Sequence, residues 1–127
     1  MLFRSDHTMD NLGLLDAPIR MTVRGGKVVE IAGGASAEQL RALVAGADDN
    51  ARNIAEFAIG TNDRARLVGS MTEDKKLRGS VHMAIGDNHV IGGTVVSELH
   101  LDGLLLRPTV ELDGRRIVED GRLLIGD

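Results

Sequence analysis

Apolar and polar residues alternate clearly in the stretch that follows Pro18. Residues 19–24 (IRMTVR) have the period of two that is typical of a strand with one buried face. Gly25-Gly26 comes next, and residues 27–31 (KVVEI) resume an apolar pattern. Because paired glycines favour the tight primed turns of hairpins, the pattern predicts a β-hairpin over residues 18–31.

One stretch has a helical period instead. Leu40, Leu43 and Val44 form an apolar stripe, and Ser36 precedes Gln39 at the spacing of a capping box. The pattern therefore predicts a helix that begins at Ser36 and ends near residue 46. A second helix, short and charged, is predicted at residues 73–77.

The pattern of the remaining chain predicts short strands and turns. Strands are predicted at residues 53–60, 80–85 and 95–106, and a second hairpin at residues 109–118 around an Asp-Gly turn. Residues 1–11 show no period and predict a disordered or truncated lead-in before a single domain at residues 12–127. The predicted fold class is α+β, with a mixed, mostly antiparallel sheet, two β-hairpins and a few short helices.

Composition narrows the classes of function. The 127 residues carry a net charge of −4 and only 2 Phe, with no Trp, Tyr or Cys. This argues against a nucleic-acid-binding surface, against disulfides and thiolate metal sites, and against a Cys nucleophile. The absence of Cys fits a cytoplasmic location. No apolar run approaches the roughly 18 residues of a membrane span, so we expect no membrane partner.

Glu56 is an isolated carboxylate inside an apolar strand, IAEFAI at residues 54–59. A buried carboxylate is costly unless a cation or a metal ion neutralises it. Two interpretations remain open from the pattern: Glu56 faces water on an edge strand, or it binds a cation.

Histidines supply the other candidate ligands. His82 lies between small residues on the strand face opposite Val81 and Met83, which suits either a ligand or a hydrogen-bonded structural residue. His100 and Asp102 are two apart on a predicted strand, so both side chains point to one side. Imidazole with carboxylate suits divalent ions such as Zn²⁺, Mn²⁺, Co²⁺ or Fe²⁺, although a solvated strand end would carry the same pattern.

Two chemistries fit this set of residues. Two His and one carboxylate form the facial triad of non-haem iron oxygenases, and a further bridging Glu is what a two-metal hydrolase needs. The spacing leaves both open. His89, in the glycine-containing loop at residues 86–93, is a candidate catalytic residue for proton transfer, or is merely exposed.

Several ordered motifs resemble the C-terminal part of the thermophilic-type metalloaminopeptidases, the aminopeptidase T or leucyl aminopeptidase family. They are AE-x-x-IGTN, a charged ED-x-K helix, VH-x-A-x-GDN and HLD, within residues 12–122. The resemblance implies a hydrolase that releases N-terminal amino acids from peptides through a metal-activated water. It implies Glu56, His82, His100 and Asp102 as ligands of Zn²⁺, Co²⁺ or Mn²⁺, two ions per site, in a homodimer or larger homo-oligomer.

The chain departs from that family in two places. It has no counterpart of the family's second metal-binding glutamate, and no tyrosine after the VH-x-A-x-G histidine. The same region is also similar to 2,5-dihydroxypyridine 5,6-dioxygenase, which implies Fe²⁺ held by two His and one Asp and a small-molecule substrate. A third alternative is an inactive fragment or dimerisation module.

Overall fold

The computed structural model describes residues 1–126 as short strands with two helices between them. The strands are β1 (Leu2–Ser5), β2 (Thr8–Met9), β3 (Gly13–Leu14), β4 (Ile19–Arg24), β5 (Lys27–Ala32), β6 (Ile54–Ile59), β7 (Val81–Gly86), β8 (His100–Leu105), β9 (Val110–Leu112), β10 (Arg115–Glu119) and β11 (Arg122–Leu123). The helices are α1 (Ala35–Ala45) and α2 (Met71–Asp74), and short 3₁₀ turns cover Asp49–Arg52 and His89–Ile91.

The strands form three sheets whose neighbours pair antiparallel. Their orders are β1-β4-β5, β3-β2-β8-β7-β6 and β11-β10-β9. Both predicted hairpins are present, as β4–β5 and β9–β10. Gly25 and Gly26 both have positive φ, 56° and 76°, which is the backbone of a type I′ turn. The predicted α+β class, with a mostly antiparallel sheet and few short helices, is confirmed.

The first eleven residues contribute strands where the sequence predicted a disordered or truncated lead-in. β1 pairs with β4, and β2 pairs with both β3 and β8. Phe3 and Met9 are buried in the core. Strands of four and two residues are too short to show a period, which is why the pattern missed them. The single domain at residues 12–127 stays a prediction, and Asp127 lies outside the described residues.

The core lies between α1 and the sheets. Leu40 and Val44 of the predicted apolar stripe are buried with residues of β4 and β5, and Leu43 is partly buried. Ala37, which was not part of the predicted stripe, is buried beside them. The same cluster continues into the five-stranded sheet through Val81 and Ile85 of β7. Within residues 1–126, no helix is both long and apolar enough to cross a membrane.

The start of α1 is capped by a distant residue rather than by its own capping box. The helix begins one residue before Ser36, and Gly34 at the N-cap has no side chain to offer. The Asp16 carboxylate accepts hydrogen bonds from the N–H groups of Ala35 and Ser36, at 3.0 and 2.8 Å. Hydrogen bonds from Ser36 and Ala35 hold the pKa of Asp16 at about 2, below its ordinary 3.8.

This cap predicts a pH dependence of stability. Since the pKa of Asp16 is lower in the folded chain, its contribution is present above pH 3.8 and is lost as the pH falls towards 2. We expect Asp16→Ala to be less stable than wild type at pH 7, with a gap that closes between about pH 4 and pH 2. Urea unfolding across that range measures it. A gap of constant size down to pH 2 would contradict the assignment of the cap.

Candidate metal centre

The register of three antiparallel strands gathers the candidate ligands on one face of the five-stranded sheet. Glu56 on β6 pairs with Ala84 on β7, which pairs with Asp102 on β8. His82 is two residues before Ala84, and His100 is two residues before Asp102. Because directly paired residues and residues two apart share a face, all four side chains point the same way.

The opposite face of these strands explains why the ligands point away from the core. Met83, Ile85 and Leu101 alternate with the polar positions and are buried in the apolar cluster. On the ligand face, Ala58 and Ala84 leave space around the longer side chains. The local sequence therefore sets the side on which each polar group lies, through the period of two.

Gly86 brings β7 and β8 together beside His100. It has φ of 104°, and a Cβ at this position would lie 2.0 Å from the Leu99 carbonyl oxygen. A larger residue would be strained by its backbone and would push β8 away. Since Gly86 pairs with His100, its lack of a side chain sets the place of the imidazole relative to β7.

The His100 ring is held in one tautomer. Its Nδ1 lies 2.6 Å from the Asp87 backbone carbonyl, which can only accept, so Nδ1 carries the proton. Nε2 then has a free lone pair in the neutral ring, and it lies 3.5 Å from Glu56 Oε2 and 3.5 Å from Asp102 Oδ1. A metal-binding histidine is commonly oriented in this way through its second nitrogen.

The loop that supplies this carbonyl is itself anchored. The Asp87 carboxylate accepts hydrogen bonds from the N–H groups of Ser97 and Val90, at 3.2 and 3.3 Å. Burial would raise the pKa of Asp87, but these backbone donors outweigh it and hold the pKa below its ordinary value. The charged carboxylate thereby keeps the loop in register for His100.

Asp102 presents one free oxygen to the site. Its Oδ2 accepts a hydrogen bond of 2.7 Å from Lys75 Nζ. Its Oδ1 is buried and has no hydrogen-bond partner among the described residues. A buried carboxylate oxygen without a partner is costly in an apolar setting, so its environment calls for a cation.

Lys75 carries its charge beside these acids. Burial would lower the pKa of Lys75, but the hydrogen bond to Asp102 and the nearby charges of Asp102, Glu56 and Asp10 raise it above its ordinary value. The ammonium is therefore positive at neutral pH and offsets part of the acidic charge of the centre.

His82 and Glu56 form a second pair. His82 Nε2 lies 3.0 Å from Glu56 Oε1. With an ionised carboxylate, Nε2 carries the proton, which leaves the lone pair on Nδ1. Nδ1 is buried and has no partner within residues 1–126. His82 thus holds one oxygen of Glu56 and leaves the other near His100.

This donor set fits a divalent metal ion. Single ligand atoms of Glu56, His100 and Asp102 all lie within 4.8 Å of one another. Together they offer one imidazole nitrogen and two carboxylate oxygens, which suit a hard or borderline cation. The unpartnered Oδ1 of Asp102 is part of this group, so an ion bound there would satisfy it.

An open cleft of about 330 Å³ adjoins the centre. Its walls come from the end of β6, the loop after it, the residues that follow α2, and β7; they are Ile59, Gly60, Thr61, Asn62, Lys75, Lys76 and His82. Because both Lys75 and His82 contact the ligand group, a small molecule in this cleft would lie next to the metal position.

Four of the five predicted site residues lie together in the structure: Glu56, His82, His100 and Asp102. The fifth, His89, is exposed on a separate turn. Sequence reasoning missed Lys75, which it treated as part of a charged helix. It also missed Asp10, whose carboxylate accepts the Asp102 N–H at 2.9 Å. Lys75 could not have been identified from the sequence, because a lysine after two acidic residues is a common pattern.

The chain is similar to a known protein family and to a solved structure. The family model NicX, 2,5-dihydroxypyridine 5,6-dioxygenase, matches residues 1–125. Among solved structures, the chain is similar to the 2,5-dihydroxypyridine dioxygenase of Pseudomonas putida KT2440, with a TM-score of 0.88 and 21% identity. The similarity covers 100% of this chain and 40% of that one, so this chain spans less than half the length of that relative. No curated protein matches the chain.

The predicted membership of the metalloaminopeptidases is therefore wrong, and so are the predicted hydrolase and protease activities, because the family model over residues 1–125 is that of a dioxygenase. The physical reason lies in the shared sheet. AE-x-x-IGTN, VH-x-A-x-GDN and HLD describe three paired strands that carry ligands on one face, and such a sheet serves either chemistry. The expected pair of Zn²⁺, Co²⁺ or Mn²⁺ ions finds no support either, since the matching family is a dioxygenase family and not a metallopeptidase family.

Proposed function

Since the chain belongs to the 2,5-dihydroxypyridine 5,6-dioxygenase family, we propose that it carries the metal centre of an Fe²⁺-dependent, ring-cleaving dioxygenase. Its substrate is a small hydroxylated pyridine, the class that the family's name states. The dioxygenase was the second resemblance in the sequence, and it needs neither the second glutamate nor the tyrosine that the chain lacks.

One observation carries the proposal. The buried, unpartnered Oδ1 of Asp102 faces His100 Nε2 at 3.5 Å, and Glu56 Oε2 lies 3.5 Å from the same nitrogen. Three donors from two strands, β6 and β8, converge on one position. Non-haem Fe²⁺ oxygenases typically use two His and one carboxylate and leave other positions open; here the second imidazole, His82, lies 3.0 Å from the Glu56 carboxylate of this group.

Each residue has a role in this proposal. His100, Asp102 and Glu56 bind the ion, and His82 holds Glu56 through its Nε2 proton. A bound ferrous ion supplies the one-electron chemistry that allows dioxygen to react with an aromatic ring. The Asp87 carbonyl keeps the His100 proton on Nδ1, so that Nε2 remains available.

The cleft beside His82 receives the substrate ring. Its volume of about 330 Å³ is at the lower end of small-molecule sites, which suits a single ring rather than a peptide. His82 lines this cleft and would hold Glu56 in place through its Nε2 proton while a ring binds beside it. His82 is therefore proposed to position Glu56 beside the substrate, and His89 lies exposed on its own turn.

Oxygen uptake tests the proposed function. The chain, loaded with Fe²⁺ under anaerobic conditions, is expected to consume one O₂ per 2,5-dihydroxypyridine and to place both atoms of ¹⁸O₂ in the product. Removal of the iron by a chelator is expected to abolish uptake. Absence of uptake by the iron-loaded chain, or uptake without label in the product, would contradict the proposal and would favour an inactive module.

Self-association stays a prediction of the sequence analysis. Leu14, Leu124 and Ile125 are exposed, whereas Leu12 and Leu15 pack against the core. Exposed apolar groups near both ends agree with the predicted homodimer or larger homo-oligomer, and we propose that residues 123–125 lie close to its interface. The cytoplasmic location likewise remains a prediction.

A further inference from the structure

We infer that Lys75 is a positioning residue for the metal centre, because it occupies Oδ2 of Asp102 and leaves Oδ1 as the single oxygen offered to the ion. The inference rests on the proposed function, since it takes Asp102 to be a metal ligand. It assigns a role to a residue that belongs to neither the ligand set nor the sheet that carries it.

All but one of the polar atoms of Asp102 already have hydrogen-bond partners. Its N–H donates to Asp10 Oδ2 at 2.9 Å, and its carbonyl oxygen accepts from the Asp10 N–H at 2.9 Å. Its Oδ2 accepts from Lys75 Nζ at 2.7 Å. In the part of the chain that the structure describes, Oδ1 is thus the polar atom of Asp102 that lacks a hydrogen bond.

The consequence concerns the number of oxygens that Asp102 gives to an ion. A free carboxylate can bind a cation through one oxygen or through both. An ammonium on Oδ2 makes two-oxygen binding unfavourable, since that oxygen already has a charged donor at 2.7 Å. The coordination position that a second oxygen would take then stays open for substrate or dioxygen.

The backbone that carries Lys75 is fixed by its neighbour. Asp74 is fully buried, and its carboxylate accepts hydrogen bonds from the Thr8 hydroxyl at 2.6 Å and from the N–H groups of Val68 and Gly69 at 2.7 and 3.1 Å. These bonds tie the end of α2 to β2 and to the preceding loop. The Lys75 side chain therefore starts from a rigid point and reaches a defined oxygen.

Measurement of metal affinity in the absence of turnover tests the inference. Whether the affinity of Lys75→Met for the metal rises or falls distinguishes a pure charge effect from loss of positioning. Removal of the ammonium in Lys75→Met takes a positive charge away from the centre, so charge alone predicts tighter binding of a cation. Loss of positioning predicts the reverse: we expect affinity for Fe²⁺ or Co²⁺, titrated anaerobically without substrate, to fall about 10- to 100-fold. Lys75→Arg, which keeps a charged donor, is expected to recover most of the loss.

Further readouts separate positioning from a general effect on the fold. The visible absorption of the Co²⁺ complex is expected to change in Lys75→Met, because the Asp102 carboxylate is then free to turn and no longer presents Oδ1 in one fixed position. Lys27→Met, an exposed lysine on β5, is the matched control and is expected to bind like wild type. Thermal unfolding of metal-free Lys75→Met is expected at a lower temperature than wild type, because the buried Asp102 carboxylate loses its charged partner, so metal binding is compared well below that temperature.

The outcomes distinguish this inference from the proposed function. Unchanged or tighter metal binding in Lys75→Met would overturn the inference and leave the proposed centre intact. Equal weakness of Lys75→Arg and Lys75→Met would also overturn it, since a charged donor would then be irrelevant. If the wild-type chain bound neither Fe²⁺ nor Co²⁺ at this site, the proposed function itself would fail.

Discussion

Asp102→Asn is expected to lower the affinity of the chain for Fe²⁺ by at least about 100-fold, more than the loss of a residue that only supports a ligand. The side chain keeps its size, but its two polar ends differ. Lys75 Nζ, a donor at 2.7 Å, selects the amide oxygen, so the NH₂ group turns towards His100 and Glu56. An amide NH₂ has no lone pair for a metal ion, and the charge of the ligand is lost as well.

Anaerobic titration with Fe²⁺, followed by measurement of metal content after gel filtration, gives the affinity. Asp63→Asn is the matched control, because Asp63 is an exposed aspartate on which the same chemical change removes the same charge. If Asp102→Asn consumed oxygen as fast as the wild-type chain, and if its affinity for Fe²⁺ fell by less than about threefold, Asp102 would not be a ligand of the ion.

Asp74→Ala is expected to destabilise the fold by about 2–4 kcal/mol, because a buried donor that loses its acceptor costs about 1–3 kcal/mol. Truncation leaves the Thr8 hydroxyl and the N–H groups of Val68 and Gly69 without their acceptor. The Thr8 hydroxyl is fully buried, so water replaces the carboxylate poorly there, whereas Gly69 is half-buried and Val68 is exposed. The change also frees the end of α2 from β2.

Urea unfolding of the metal-free chain measures this loss, with Asp63→Ala as the exposed control. Thr8→Val in the Asp74→Ala background is expected to cost less than Thr8→Val in wild type, because the hydroxyl has already lost its partner. A cost for Asp74→Ala below about 1 kcal/mol would show that water satisfies the three donors and that the buried carboxylate is not a fixed anchor.

The local sequence was enough to predict most of the secondary structure. Gly25-Gly26 and Asp113-Gly114 accept positive φ at the turns, so both hairpins could be recognised without knowledge of what packs on them. The apolar stripe of α1 predicted its buried face. The cap of α1 could not be predicted, because Asp16 comes from a different part of the chain and competes with the local Ser36 and Gln39.

The sequence alone also determined which residues could act together. A period of two sets the side of a strand on which a residue lies, so His100 and Asp102 had to share a face, and His82 had to oppose the buried Val81 and Met83. These constraints are local and concern single strands. They were insufficient to distinguish a hydrolase from a dioxygenase, because both chemistries use acids and imidazoles on one face of a sheet. The resemblance of the motifs to the metalloaminopeptidases therefore predicted the wrong family.

Only the tertiary structure decided how far the candidate ligands lie from one another and what else contacts them. The register between β6, β7 and β8 places Glu56 beside His82 and His100, and register is set by pairing between strands far apart in sequence. Lys75 reaches Asp102 across 27 positions, and Asp10 reaches it across 92. Such contacts leave no periodic trace, because they depend on where whole elements pack and not on the order of neighbouring residues.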